Sequence, residues 1–170
     1  MTKLFKSFAC ATLLLSLNQS IAAPNTPPAT KAPVIVLQYA HDGDTIRVFQ
    51  DTQNFYVRFS DIDAPELKQE FGPESRDHLK ALLANKFLSL QIKKDRDMFG
   101  RPVARVFADK LDVNAQMVKD GYAWYFGTYS KDKTVQALEA EARLNKRGLW
   151  SKPNPVPPWT FRKESKKKKI

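Results

Sequence analysis

Two periodicities organise the chain. Val34, Ile35, Val36 and Leu37 form a short apolar run rich in β-branched residues. Between Asp44 and Gln50, Ile46 and Val48 alternate with Thr45 and Arg47. Between Phe55 and Ser60, Phe55, Val57 and Phe59 share one face, while Tyr56, Arg58 and Ser60 share the other. A period of two is that of a strand with one buried face. The polar stretch from Asp51 to Asn54 joins the second and third strands as a hairpin. The period then lengthens. Leu79, Leu82 and Leu83 make the buried stripe of a helix. Pro73 suits its first position after Gly72, and Glu74 suits its positive end. Leu88, Leu90 and Ile92 alternate in a fourth strand, and Val103 to Ala108 forms a fifth. Asp112 is placed to cap a short helix that stops at Gly121. The aromatic run from Tyr122 to Phe126 reads as core and partly strand. Asp132 to Arg147 predicts a third helix, with Val135, Leu138 and Ala142 on one side and Gly148 as its stop.

Three strands, a helix, two strands and two helices predict an α+β domain over residues 34–151. Five short strands with a helix inserted after the third fit a five-stranded OB-fold β-barrel carrying three α-helices, an architecture that commonly binds oligonucleotides. Fold alone does not establish function.

The ends of the chain read differently. Lys3 and Lys6 precede the apolar stretch from Phe8 to Leu17, and Ser20-Ile21-Ala22 supplies the small residues of a signal-peptidase site. The expectation is a signal peptide over 1–22, then a flexible Pro-, Ala- and Thr-rich leader over 23–33, and a secreted or periplasmic product. Cys10 would leave with the signal, so the mature chain would fold without disulfides. No other segment is apolar enough to span a membrane. Beyond Trp150, Pro153, Pro155, Pro157 and Pro158 argue against helix, and Lys166 to Lys169 is a like-charge run. Residues 152–170 are therefore expected to be a disordered tail.

Charge narrows the class of partner. The 28 Lys and Arg against 18 Asp and Glu give a formal charge of +10. Loss of Lys3 and Lys6 would take two from that, leaving +8. Such an excess favours polyanions, whether nucleic acid or an anionic membrane surface.

Four stretches carry candidate chemistry. In Asp42-Gly43-Asp44-Thr45, a Gly between two Asp suits a tight turn entering a strand. It can hold carboxylate oxygens near a hard cation, or serve as turn chemistry alone. In Arg58-Phe59-Ser60-Asp61-Ile62-Asp63-Ala64-Pro65-Glu66, basic and acidic side chains converge where a strand ends. One salt bridge explains a pair of these residues but not the whole cluster. Gly100-Arg101 places an arginine after a turn. Tyr122, Trp124, Tyr125, Phe126 and Tyr129 form an aromatic segment, part of which is suited to stacking on bases. His41, His78, Asp61 and Glu70 read as surface or supporting residues, with a solvated role for the last two.

In this order and spacing, from about Val36 to Trp150, these stretches resemble the thermonuclease (staphylococcal nuclease-like) family. The resemblance implies a calcium-dependent nuclease that hydrolyses phosphodiester bonds of DNA and RNA and leaves 3′-phosphate and 5′-hydroxyl ends. It implies that Asp44 and Asp63 ligate Ca2+ through their carboxylates and Ala64, at a position where the family usually has threonine, through its main-chain carbonyl. Glu66 corresponds to the general base or water-orienting carboxylate, Arg58 and Arg101 to the phosphate-binding arginines, and Tyr129 to a tyrosine under the nucleotide. Met98, Phe99 and Gly127 depart from the pattern, which bears on product affinity. The chain is expected to act as a monomer. Two other classes compete with the enzyme: a non-catalytic OB-fold nucleic-acid-binding protein, and a cationic protein that binds anionic surfaces through Lys166 to Lys169.

Overall fold

The structure, a computed structural model, describes residues 34–168. The expected signal peptide and leader lie outside the described residues. Strands β1 (Ile35–Ala40), β2 (Thr45–Gln50) and β3 (Gln53–Phe59) form an antiparallel meander. The hairpin between β2 and β3 turns through Asp51 at φ 56°. A two-residue strand β4 (Ile62–Asp63) follows, then helix α1 (Gly72–Leu83). Strands β5 (Leu88–Lys94) and β6 (Val103–Ala108) pair antiparallel, and β5 meets β1 through Ile35 and Leu88. β6 also runs parallel to β3, pairing Arg58 with Val103 and Phe59 with Ala104. That pairing closes β1, β2, β3, β5 and β6 into the five-stranded barrel expected from the strand count.

The alternation seen in the sequence is the alternation of the barrel wall. Ile46, Val48, Val57, Phe59, Ala104 and Val106 point inward and are buried. Leu79 and Leu83 of α1 close one end of this core together with Val113, Met117 and Val118. The last three lie on α2 (Val113–Lys119), which follows the short β7 (Leu111–Asp112). Asp112 caps α2 by accepting from the Ala115 N–H, as its position predicted. Trp124 and Tyr125 form β8, paired with β4. Helix α3 (Lys133–Leu144) is capped by Asp132. It ends short of the expected Arg147, and Gly148 instead opens a 3-10 turn over Gly148–Ser151. Gly148 sits at φ 49°, and a Cβ there would meet the Gly121 carbonyl oxygen at 2.4 Å. The ends of α2 and α3 can touch only because this residue has no side chain. Trp150 lies 5.1 Å from Trp124 in a small second core with Ala142 and Leu149.

The tail corrects the expectation of disorder. Pro158 to Lys167 forms a fourth helix, α4. Proline is excluded from a helix interior but suits its first turn, where no intrahelical N–H is needed. The proline run therefore starts α4 rather than preventing it. Its aromatic residues dock it: Trp159 stacks on Phe126 with ring centroids 5.5 Å apart.

Candidate active site

The site forms where β2 begins, β3 ends and β4 follows. The turn entering β2 is tied by its own backbone and by Asp42, whose Oδ1 accepts from the Asp44 N–H at 3.1 Å. A Cβ on Gly43 would lie 1.9 Å from Ser75 Oγ and 2.7 Å from Ala64 Cβ. The residue between the two aspartates is thus set by close approach to α1 and to the segment after β4.

Asp44 is buried, with Oδ1 accepting from Thr45 Oγ1 at 3.1 Å and Oδ2 from the Ala64 N–H at 2.6 Å. Arg58 spans the two aspartates. Its Nη2 lies 3.1 Å from Asp44 Oδ2 and 2.9 Å from Asp63 Oδ1. Its Nη1 donates to the carbonyls of Phe59 at 2.7 Å and Ile62 at 3.0 Å, and its backbone N–H donates to Pro102 at 3.0 Å. The guanidinium is fixed in plane and position by these bonds.

Asp63 is 1% exposed. Burial raises its carboxyl above the ordinary aspartate value, although Arg162 and Arg58 favour its charged form. Asp42 is pushed up to about 7, by burial first and then by the charge on Asp44. Pro65 stiffens the step to Glu66, whose backbone N–H donates to Gln69 Oε1 at 3.3 Å.

A residue not singled out in the sequence completes the cluster. Arg162, on α4, donates from Nη2 to Asp63 Oδ2 at 2.7 Å, and from Nη1 to Asp63 Oδ1 at 3.2 Å and Glu66 Oε1 at 2.7 Å. Burial works against its charge, but the two carboxylates outweigh that and bind its proton more tightly. The aromatic pair Trp159 and Phe161 beside Arg162 was the available signal for a docked segment, and the neighbouring lysine run obscured it.

The structure thus brings together Asp44, Arg58, Asp63, Ala64 and Glu66. Arg101 and Tyr129 make no hydrogen bond or ion pair to this set, although Arg101 immediately precedes Pro102, the partner of the Arg58 N–H. Arg101 Nε donates to Asp97 Oδ2 at 2.8 Å, and its Cζ lies 5.3 Å from the Phe99 ring centroid, in the turn between β5 and β6. Tyr129 is 81% exposed, with its ring 5.0 Å from Phe126. Asp61 is not solvated: it accepts from Ser130 Oγ and Ser60 Oγ, each at 2.7 Å, and so ties the segment after β3 to the loop before α3. Glu70 is exposed and pairs with Lys152. His78 bonds Asp120 at 2.9 Å and stacks on Tyr122, linking α1 to α2.

Among the described residues no group of three or more His, Cys, Asp or Glu side chains is arranged to hold a metal. The donor chemistry nonetheless fits a hard cation. Asp44 and Asp63 are close enough to share one guanidinium nitrogen. Ala64 adjoins both, and all the oxygens on offer are carboxylate or carbonyl.

Comparison with known proteins agrees with this geometry. The family model of staphylococcal nuclease homologues matches residues 56–152. The chain is 43% identical over 122 residues to an uncharacterized endonuclease of Escherichia coli O157:H7, covering 71% of this chain and 79% of that protein. It is 38% identical over 136 residues to the micrococcal nuclease of Shigella flexneri, covering 74% and 78%. An uncharacterized endonuclease of Haemophilus influenzae is 35% identical over 126 residues, covering 74% and 70%.

Proposed function

We propose a calcium-dependent, exported mode of action for a chain that belongs to the staphylococcal nuclease homologue family and acts as an endonuclease on the phosphodiester bonds of nucleic acids. The observation that supports this reading is the meeting of two buried aspartates, one partly exposed glutamate and a fixed arginine at one end of the barrel.

Asp44 and Asp63, with the carbonyl of Ala64, would hold the calcium ion. When bound, the cation supplies positive charge that offsets the charge on the phosphate oxygens. The remaining chemistry belongs to the side chains. Arg58 is held by the Phe59 and Ile62 carbonyls through Nη1, and its Nη2 is freed for a phosphate oxygen when Asp44 and Asp63 turn to the cation. Glu66 stands beside the aspartates with room for a water, which it orients and deprotonates for in-line attack on phosphorus. Arg101 is a second guanidinium, which reaches the phosphate by exchanging Asp97 for it. Tyr129 offers an exposed ring to the sugar and base of the substrate. As the water oxygen bonds to phosphorus the bond to the 5′ oxygen breaks, and the leaving oxygen takes a proton from solvent, which leaves a 3′-phosphate and a 5′-hydroxyl. Recognition through phosphate makes both DNA and RNA substrates. The positive segment, apolar stretch and small residues before Ala23 support export to the periplasm or beyond, and the chain acts as a monomer.

Single-stranded DNA incubated with millimolar-scale calcium, and in parallel with a calcium chelator, tests this reading. Cleavage should require calcium and fall by roughly 10²- to 10⁴-fold in Glu66→Ala and in Arg58→Ala. Products should carry phosphate at the 3′ side. Cleavage that persists in the chelator removes the metal from the mechanism, and full activity in both variants moves the site elsewhere.

A further inference from the structure

Helix α4 follows the segment matched to the family, which ends at residue 152, yet it places a guanidinium on two of the carboxylates of the site. We propose that Arg162 is a further active-site residue, a strap-borne guanidinium that holds Asp63 and Glu66 and competes with the divalent cation for them. The inference rests on the reading of Asp63 as a metal ligand.

Oxygen occupancy is the first argument. Asp63 Oδ2 accepts from Arg162 at 2.7 Å, and Asp63 Oδ1 accepts from both Arg58 and Arg162. A calcium ion takes its oxygens at about 2.3–2.6 Å. A guanidinium nitrogen at hydrogen-bond distance on the same carboxylate competes for the same lone pairs and adds like charge. Withdrawal of Arg162 frees a lone pair on each Asp63 oxygen and removes its like charge from the cation.

Charge gives the second argument. Among the ion-paired side chains, Asp44, Asp63 and Glu66 face Arg58 and Arg162, which leaves one excess negative charge apart from Asp42. When Arg162 withdraws, the excess becomes two, which a divalent cation neutralises. The site is near balance in both states, and Arg162 is the cation that changes places.

The attachment of α4 permits the exchange. Within the helix only Pro158 is fully buried. Trp159 rests on Phe126, and the preceding segment is held by Gln69 Nε2 donating to the Val156 carbonyl at 2.6 Å. The anchors lie at the start of the helix, whereas Arg162 lies a turn further on with its side chain 40% exposed. Beside it opens a cavity of about 420 Å³ lined by His41, Asp42, Glu66, Lys68, Arg162 and Lys166. The guanidinium can move into this space without disturbing the barrel.

Calorimetric titration of calcium alone into the full mature protein, without nucleic acid, tests the exchange. Arg162→Ala should bind calcium about tenfold more tightly, and Arg162→Lys should fall between the two. A Lys119→Ala control, on α2, should match the wild type. Hydrogen exchange of the wild type, which needs no variant, should show faster exchange of amides 161–167 when calcium is added. Equal or weaker calcium affinity in Arg162→Ala, or α4 protection unchanged by calcium, overturns the exchange and makes Arg162 a fixed ion-pair partner. Failure of every form to bind calcium overturns the metal reading and this inference with it, whereas binding with equal affinity in every form overturns the inference alone.

Discussion

Arg58 is the most constrained side chain of the site, and its constraints state why arginine stands there. One nitrogen bridges two aspartates while the other bonds two backbone carbonyls. Lysine keeps the charge but cannot make these contacts together, because its ammonium is a point charge on a flexible stem. Arg58→Lys is expected to retain the fold and lose roughly 10²-fold in kcat, of the order found when one transition-state donor is removed. Steady-state kinetics alongside a thermal melt checks this. A variant with unchanged kcat would show that Arg58 serves only to neutralise the aspartates. Much of this was legible in the sequence. The alternation of β3 put Arg58 on the face opposite Val57, and the spacing to Asp63 and Glu66 placed them at the strand end. The path of Arg162 was not legible, since its partners lie nearly a hundred positions away and pairing at such range leaves no local pattern.

Among the secondary elements, Arg105 is the shared fastening. From β6 it donates to Asp112 at 2.5 Å and to Asp132, the residues that cap α2 and α3. The caps were readable from sequence as Asp before a helical stripe, but their common partner was not. Arg105→Gln should cost about 1–3 kcal/mol, because two charge-assisted bonds are lost where the side chain is mostly buried. The Arg105 partner holds the Asp132 carboxyl below its ordinary value. A depressed carboxyl contributes stability above its unfolded value, and that contribution is lost as pH falls through the folded one. The stability gap between wild type and Arg105→Gln should therefore narrow as pH drops below about 4, as denaturant melts at pH 7 and pH 3 will report. A constant gap would assign the loss to packing. The misread element was α4. Proline was taken as a helix breaker, and its opposite effect depends on position in the helix, which a stretch with four prolines and no apolar stripe does not reveal.

Among the described strands, the barrel is closed by one parallel pairing, β3 with β6, and that pairing carries Arg58. The Arg58 N–H donates to Pro102, so the site and the last seam of the barrel share one residue. Urea denaturation followed by nuclease activity and by fluorescence of the three tryptophans, Trp124, Trp150 and Trp159, should give coincident transitions, as cooperative single domains of this size usually do. Activity lost well before the fluorescence change would mean that the site opens while the barrel stays shut. The seam has a further consequence for a cell that makes this protein. Until Pro102 and Val103 have left the ribosome and folded back, the Arg58 backbone lacks its partner and the barrel stays open along this edge, although the contacts of the guanidinium are all to residues made earlier. The strand that bears Arg58 therefore waits for a strand made more than forty residues later before its open edge is covered.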